Sequence, residues 1–186
     1  MARLWLARAG EATVEERGSV GKLGVVKLLE GLSVKELTEL EQAAVWRRYP
    51  AETQILDRAS SSRDVFFVVE GSVQVVNFSS SGREIAYAKL GAGAFFGELS
   101  AVDGQPRSAT VVSAQASLLA ALAPATFERL LHARPEIAFR VLKRLAAIIR
   151  DCDERIMDLA TLGAVQRVQL ELLRLAKPDP ITAGSW

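Results

Sequence analysis

The chain has 186 residues, of which 49% are hydrophobic and 24% charged, proportions typical of a globular protein. Its 23 Lys and Arg against 22 Asp and Glu give a net charge of +1, which excludes a strongly cationic nucleic-acid coat and an acidic disordered tail. The single cysteine excludes a disulfide framework and any Cys-cluster metal site built by one chain. The single histidine excludes most histidine-rich metal centres and would leave a Ser-His-Asp triad dependent on His132 alone. No metal site is predicted.

The sequence predicts neither a signal peptide nor a membrane span. Residues 1–6 lack the apolar core of a signal peptide, and acidic residues follow soon after them. Residues 108–127 carry no charge and are long enough to span a membrane, but polar residues and Pro124 interrupt them. We interpret them as two strands, and we expect a soluble, cytoplasmic protein with no membrane partner.

The amino-terminal part predicts a loose segment followed by two short helices. Residues 1–22 have mixed polarity and three glycines, and we expect them to be loosely ordered. Residues 23–29 predict a short apolar helix that ends at Gly31. A second helix begins at Ser33, because Ser33 and Glu36 form a capping box in which each side chain satisfies an orphan amide of the first turn.

From Val45 onward the apolar pattern changes from helical spacing to short extended runs. The run that begins there ends at Pro50. Further strands are predicted at residues 65–69, 73–78, 84–90, 109–113 and 118–122. Gly71 and the serine-rich residues 79–82 supply turns between them. Several short strands separated by turns predict a β-sandwich or a jelly-roll barrel.

Helices follow the strands. Pro124 suits the first turn of one helix, and His132 is expected to cap its end. A last helix is predicted at residues 164–176, after an interruption at Gly163, and residues 178–186 have the composition of a ragged end.

Between these two helices, Pro135 opens a long helix that is predicted to run to about Leu162. Its apolar positions step by three and four residues alternately, which makes a heptad seam about three heptads long. The residues of this seam are Leu142, Leu145, Ile149, Cys152, Ile156 and Leu159. A helix of this length outruns a small barrel, so we expect the seam to form a homodimer. Burial of the seam against the chain's own strands is the alternative.

The loop between the strands at 84–90 and 109–113 combines features that suit an anion. Gly97 lets the backbone come close to a ligand. The amides of Leu99 and Ser100, at the start of a helical turn, can point at a negative charge. Arg107 supplies a fixed cation whose planar fork matches two phosphate oxygens.

Glu98 lies in the same loop but has the wrong charge for a phosphate. A carboxylate accepts hydrogen bonds, and a ribose hydroxyl can donate one to it. One phosphate charge, one arginine and one hydroxyl acceptor together describe a cyclic ribonucleotide. The alternative is an exposed ion pair between Glu98 and Arg107, which would contribute about 0–1 kcal/mol.

The loop contains the run F-G-E-L-S followed by P-R-S-A-T-V, and the runs F-V-V-E-G-S-V-Q-V and G-R-E-I-A lie upstream of it. Together these runs resemble the phosphate-binding cassette of cyclic-nucleotide-binding domains. Beyond the cassette, the long helix and the segment L-A-T-L-G-A-V-Q-R-V-Q-L-E-L-L-R-L-A-K are similar to the Crp/Fnr family of bacterial regulators. The resemblance covers roughly residues 28–177. It implies that the family's winged helix-turn-helix, apart from its first helix, is missing from this chain.

The resemblance also implies roles for individual residues. Glu98 would hold the ribose hydroxyl, and Gly97, Leu99 and Ser100 would present backbone to the phosphate. Arg107 and Ser108 would bind the phosphate directly, and Cys152 and Asp153 on the long helix would face the base. The family's cyclic-AMP members have Thr-Ser at those last two positions, so the choice between cyclic AMP and cyclic GMP stays open. Ser108 could also only start a strand, Cys152 could only pack in the seam, and Asp153 could point to water.

The predicted fold is α+β, a jelly-roll β-barrel of the cyclic-nucleotide-binding type with amino-terminal helices and a long carboxy-terminal dimerisation helix. Four segments are expected: the loose residues 1–22, the β-roll with flanking helices at 23–134, the dimerisation helix at 135–162, and a hinge with one helix at 163–186. The resemblance implies an allosteric receptor for cyclic AMP or cyclic GMP. The ligand would shift the long helices and the hinge, and DNA would be bound only through the missing domain.

The predicted function is that of a transcription regulator with no catalytic residues and no cofactor besides its ligand. Three other functions are alternatives to it. The first is a cyclic-nucleotide module of a channel, kinase or cyclase. The last predicted helix disfavours this alternative. The second is a degenerate domain that only dimerises. The third is a cupin-type enzyme on the same architecture, but a metal cupin needs several histidines and this chain has one.

Overall fold

The computed structural model describes residues 13–15, 21–58, 60–78 and 84–176. The strands in these ranges are β1 (Thr13–Glu15), β2 (Val45–Tyr49), β3 (Gln54–Leu56), β4 (Val65–Glu70), β5 (Ser72–Phe78), β6 (Glu84–Gly91), β7 (Phe95–Phe96), β8 (Thr110–Ser113) and β9 (Ser117–Leu122). The α-helices are α1 (Val34–Ala43), α2 (Glu98–Asp103), α3 (Pro124–Ala133), α4 (Pro135–Thr161) and α5 (Ala164–Ala176). The chain divides into two compact units, residues 1–133 and residues 134–186.

The strands of the first unit form two antiparallel sheets. One sheet has the order β1-β2-β9-β4-β7, and the other has the order β3-β8-β5-β6. Strand β9 lies between β2 and β4, and all six of its residues are buried, which explains its almost continuous apolar sequence. The two sheets, with helices around them, confirm the predicted jelly-roll architecture.

A buried glutamate ties the amino-terminal segment to helix α1 and to the five-stranded sheet. The carboxylate of Glu41 accepts hydrogen bonds from the backbone amides of Gly21 and Leu23, both at 2.9 Å. The backbone oxygen of the same residue accepts from the indole Nε1 of the fully buried Trp46 at 3.0 Å. Because these bonds satisfy groups that would otherwise be buried without partners, Glu41 fixes where the chain enters the roll.

The two predicted amino-terminal helices have different outcomes. The capping box is present: the Ser33 amide donates to the Glu36 carboxylate at 2.9 Å, and the Glu36 amide donates to the Ser33 hydroxyl at 3.3 Å. The predicted short apolar helix at 23–29 is instead two 3-10 turns, Lys22–Val25 and Lys27–Leu29, separated by the extended Val26. A segment of seven residues is too short to sustain a regular α-helix without the help of tertiary packing.

The pairing of β5 with β6 contains a bulge. The pairing of β5 with β6 shifts register between Val75 and Val76. The extra residue lies on β6, because Val75 is opposite Ala88 and Val76 is opposite Ala86, whereas β5 pairs with β8 without a shift. Val73 and Val76 are buried, whereas Val75 and Asn77 are half-buried, so burial does not alternate strictly along β5.

Some predictions fall on residues whose structure is not described. These are residues 1–12 and 16–20 of the expected loose segment, the turn at 79–82, and the end at 178–186. Within the expected loose segment, however, β1 pairs with β2 in register from Thr13 opposite Arg48 to Glu15 opposite Trp46. Loose order is therefore wrong for residues 13–15.

The second unit contains two helices separated at the predicted interruption. Helix α4 ends at Thr161, and α5 begins after Gly163, whose amide donates to the side-chain oxygen of Gln166 at 3.0 Å. This bond satisfies one of the orphan amides at the start of α5. None of the helices in the described ranges is long and apolar enough to cross a membrane.

Candidate functional site

The loop between β7 and β8 contains the short helix α2, and Gly97 makes the turn into it. Gly97 has a φ of +85°, in the left-handed region that side chains disfavour. A Cβ atom at this position would lie 2.6 Å from Nη1 of Arg107 and 2.8 Å from the carbonyl oxygen of Asp64. Gly97 is therefore required both for the backbone conformation and for the close approach of the arginine.

The side chain of Arg107 lies folded into the protein beneath this turn. The residue is 3% exposed, and its guanidinium donates to three acceptors. Nη1 donates to the carbonyl oxygen of Gly97 at 2.9 Å. Nη2 donates to the Ser62 hydroxyl at 2.9 Å and to the carbonyl oxygen of Asp64 at 2.8 Å. The remaining nitrogen, Nε, is buried and has no hydrogen-bond partner among the residues that the structure describes.

Burial disfavours the positive charge of Arg107, whereas neighbouring carboxylates and an aromatic ring favour it. Burial lowers the pKa of Arg107 below its usual value, whereas the negative charges of Asp64 and Glu98 raise it. The guanidinium carbon also lies 5.9 Å from the centre of the Phe66 ring, which stacks on Phe96 with ring centres 5.1 Å apart. Because an arginine stays protonated in proteins, the site contains a buried positive charge.

The start of α2 supplies the other polar groups of the loop. Glu98 is the first residue of α2 and is buried, and Ser100 is buried in the same turn. A carboxylate at a helix amino terminus is stabilised by the aligned backbone dipoles. Leu99, between them, is 40% exposed, so its side chain stands clear of the buried turn. The structure thus brings the predicted residues Gly97, Glu98 and Ser100 together with Arg107.

Ser108 lies at the edge of this site. The residue is exposed, and its backbone oxygen accepts a hydrogen bond from the Asn77 side chain of β5 at 3.3 Å. The contact of the Ser108 hydroxyl with phosphate stays a prediction. Cys152 and Asp153 lie on α4, in the second unit, and both are exposed. Their predicted contact with the base also stays a prediction.

Sequence reasoning missed the residues that hold Arg107. Ser62 and Asp64 precede β4, and Phe66 lies within it, 41 to 45 residues before the arginine. Their local pattern predicts only a serine-rich loop and the start of a buried strand. The contacts arise because β4 pairs with β7, which carries Phe96 directly before the turn at Gly97. No spacing within the cassette could have shown this.

A metal site finds no support in the part of the chain that the structure describes. Among those residues there is no group of three or more His, Cys, Asp and Glu side chains that could hold a metal ion. The chemistry of the loop is that of an anion site: a buried guanidinium, the start of a helix and a carboxylate that can accept from a hydroxyl.

Comparisons with known proteins agree with this chemistry. Residues 46–134 match the family model of the cyclic nucleotide-binding domain. The chain is 29% identical over 159 residues to the cAMP-activated global transcriptional regulator CRP of Haemophilus influenzae, covering 81% of this chain and 71% of the regulator. It is 38% identical over 116 residues to a cyclic nucleotide-gated potassium channel of Mesorhizobium japonicum, covering 62% of this chain and 31% of the channel.

The solved structures give the same result. The catabolite activator protein of Thermus thermophilus superposes with a TM-score of 0.65 at 28% identity, covering 72% of this chain and 63% of that protein. The matched residues 46–134 span the cassette and most of the roll, so the chain carries a cyclic nucleotide-binding domain. Its similarity to the two bacterial regulators confirms the resemblance to the Crp/Fnr type of this domain.

Proposed function

We propose that this chain is the nucleotide-receptor and dimerisation part of a Crp/Fnr-type transcription regulator, that its ligand is cyclic AMP or cyclic GMP, and that it has no catalytic activity. The observation that carries this proposal is the buried guanidinium of Arg107 beneath the start of α2. A buried cation is costly unless an anion or several acceptors compensate it. A cyclic phosphate supplies the single negative charge that suits one guanidinium.

The carboxylate of Glu98 supports a ribonucleotide over a simple anion. Glu98 is buried within the same loop, where it interacts electrostatically with Arg107. A bare phosphate gains nothing from a carboxylate, whereas a ribose hydroxyl can donate a hydrogen bond to it. Asp153 does not distinguish the two bases, since its carboxylate could accept from the exocyclic amine of either adenine or guanine.

The seam of α4 supports a homodimer. Its members Leu142, Ile149, Ile156 and Leu159 are each between 59% and 65% exposed in the single chain. Such a row of exposed apolar side chains at heptad spacing is typical of a helix that packs against a second copy of itself. In this proposal a shift of α4 and of the break at Gly163 would pass the nucleotide signal onward.

A role within a channel is the second candidate, because the chain also aligns with a potassium channel over 116 residues. The alignment with the regulator is longer, at 159 residues. That difference favours the regulator.

Isothermal titration of the 186-residue chain with cyclic AMP and cyclic GMP tests the proposal. We expect saturable binding of one or both nucleotides, with a stoichiometry of about one per chain. The matching linear nucleotides, 5′-AMP and 5′-GMP, are the controls, because they keep the base and ribose but carry an additional phosphate charge. No heat with either cyclic nucleotide, or equal binding of the linear ones, would contradict the proposal.

A further inference from the structure

The Nη2 atom of Arg107, which an incoming phosphate needs, already has hydrogen-bond partners. A guanidinium offers an oxyanion two bidentate edges, one formed by Nη1 and Nη2 and the other by Nε and Nη2. Nη2 belongs to both edges and has two N–H groups. In this structure it donates to two acceptors, the Ser62 hydroxyl at 2.9 Å and the Asp64 carbonyl at 2.8 Å. A phosphate can therefore bind Arg107 through two parallel bonds only if one of these acceptors leaves.

The two acceptors differ in how easily they can leave. The Asp64 carbonyl belongs to the backbone directly before β4, whose residues from Val65 to Val69 are all buried. Moving that carbonyl would disturb a strand in the core of the roll. Ser62 is exposed, in the connection between β3 and β4, and its hydroxyl can turn away by rotation about a single side-chain bond. Ser62 is thus the acceptor that is more easily displaced.

We propose that the Ser62 hydroxyl occupies the place of a ligand phosphate oxygen on Arg107, and that a nucleotide must displace it to bind. This inference rests on the proposed nucleotide-binding function and names a residue that sets the affinity of that site. The Nε atom supports it, because it is buried and has no hydrogen-bond partner within the described ranges of the chain. A phosphate on the edge formed by Nε and Nη2 would replace the bond to Ser62 and add the bond that Nε lacks.

This arrangement predicts an unusual sign for a mutation at a binding site. Ser62→Ala leaves one guanidinium N–H without its acceptor in the free protein, and the ligand phosphate then restores the bond. The substitution therefore destabilises the free protein but not the complex. A hydrogen bond to a charged group contributes enough for a change of about tenfold in Kd, in the direction of tighter binding. Ser62→Asp places a carboxylate beside the guanidinium and should weaken binding by at least about tenfold.

The experiment is isothermal titration with cyclic AMP and cyclic GMP of the wild type and of variants at neighbouring serines. We expect Ser62→Ala to lower Kd about tenfold. Ser62→Thr, which keeps the hydroxyl, should reverse that gain. Ser61→Ala removes a hydroxyl from the adjacent exposed residue and is the matched control, with a wild-type Kd expected.

Unfolding in urea gives a second measurement that does not depend on the heat of binding. Ser62→Ala should lower the unfolding midpoint of the free protein, yet it should unfold at the wild-type midpoint when nucleotide saturates both proteins. Weaker binding would show that the hydroxyl contacts the ligand, and an unchanged Kd would show that it does not oppose binding. Either result overturns the inference while the wild type still binds. If the wild type binds neither nucleotide, the proposed function fails and this role of Ser62 fails with it.

Discussion

Replacing Arg107 by leucine tests the site at its centre. Leucine removes the cation and all three donated hydrogen bonds, to Gly97, Ser62 and Asp64, while keeping an apolar side chain against the Phe66 ring. Charge-assisted hydrogen bonds contribute about 1.5–3 kcal/mol each, and breaking a buried charge pair costs about 3–5 kcal/mol. We therefore expect the nucleotide to lose about 3 kcal/mol of binding free energy, which corresponds to a Kd more than about a hundredfold higher.

Isothermal titration measures that loss, and Arg63→Leu is its matched control. Arg63 lies on the same β3–β4 connection as Ser62, is exposed, and undergoes the same change of charge. We expect Arg63→Leu to keep the wild-type Kd within a few fold, because exposed charges contribute little. Circular dichroism establishes that both variants are folded. Equal Kd values for wild type and Arg107→Leu, or an equal loss in both variants, would refute the assignment of Arg107.

Three further predictions concern the rest of the molecule. Glu98→Ala should narrow the difference in Kd between a cyclic ribonucleotide and its 2′-deoxy form, and a titration that leaves this difference unchanged would remove Glu98 from the ribose site. Ile149→Asp places a charge in the α4 seam and should give monomers in sedimentation, whereas Ala146→Asp, also exposed but off the seam, should leave dimers. Gly97→Ala should lower the free energy of unfolding by about 1–3 kcal/mol in urea because of its strained φ, while Gly91→Ala, with open space around its Cβ, should change it much less.

The elements that the sequence predicted well are those whose causes are local. The capping box at Ser33 and Glu36, Pro135 at the start of α4 and Gly163 before α5 each act on the backbone within a few residues. The ends of α4 and α5 accordingly lie within one residue of their predicted positions. Strand β3 was not predicted, because three residues are too few for an alternating pattern to show.

The residues around Arg107 lie beyond the reach of local reasoning. The acceptors of its guanidinium are separated from it by 10, 43 and 45 positions in the sequence. The first is within the cassette and follows from the turn at Gly97. The other two depend on the pairing of β4 with β7, which places Asp64 next to that turn. The cassette motif thus identifies which side chain carries the positive charge, and the sheet topology determines what holds it before a ligand arrives.

In the proposed site, the charges around Arg107 would favour a cyclic ribonucleotide over other anions. Arg107 is flanked by Asp64 and Glu98, whose negative charges both raise its pKa, so two carboxylates surround one guanidinium. A simple phosphate that approaches Arg107 is repelled by both of them. A cyclic ribonucleotide meets the same repulsion, but its ribose hydroxyl can donate to Glu98 and so convert one opposing group into an acceptor. A 2′-deoxy nucleotide keeps the repulsion without that bond. In the proposed site, Glu98 would therefore act against wrong anions as much as in favour of the right one, which is how specificity is commonly obtained.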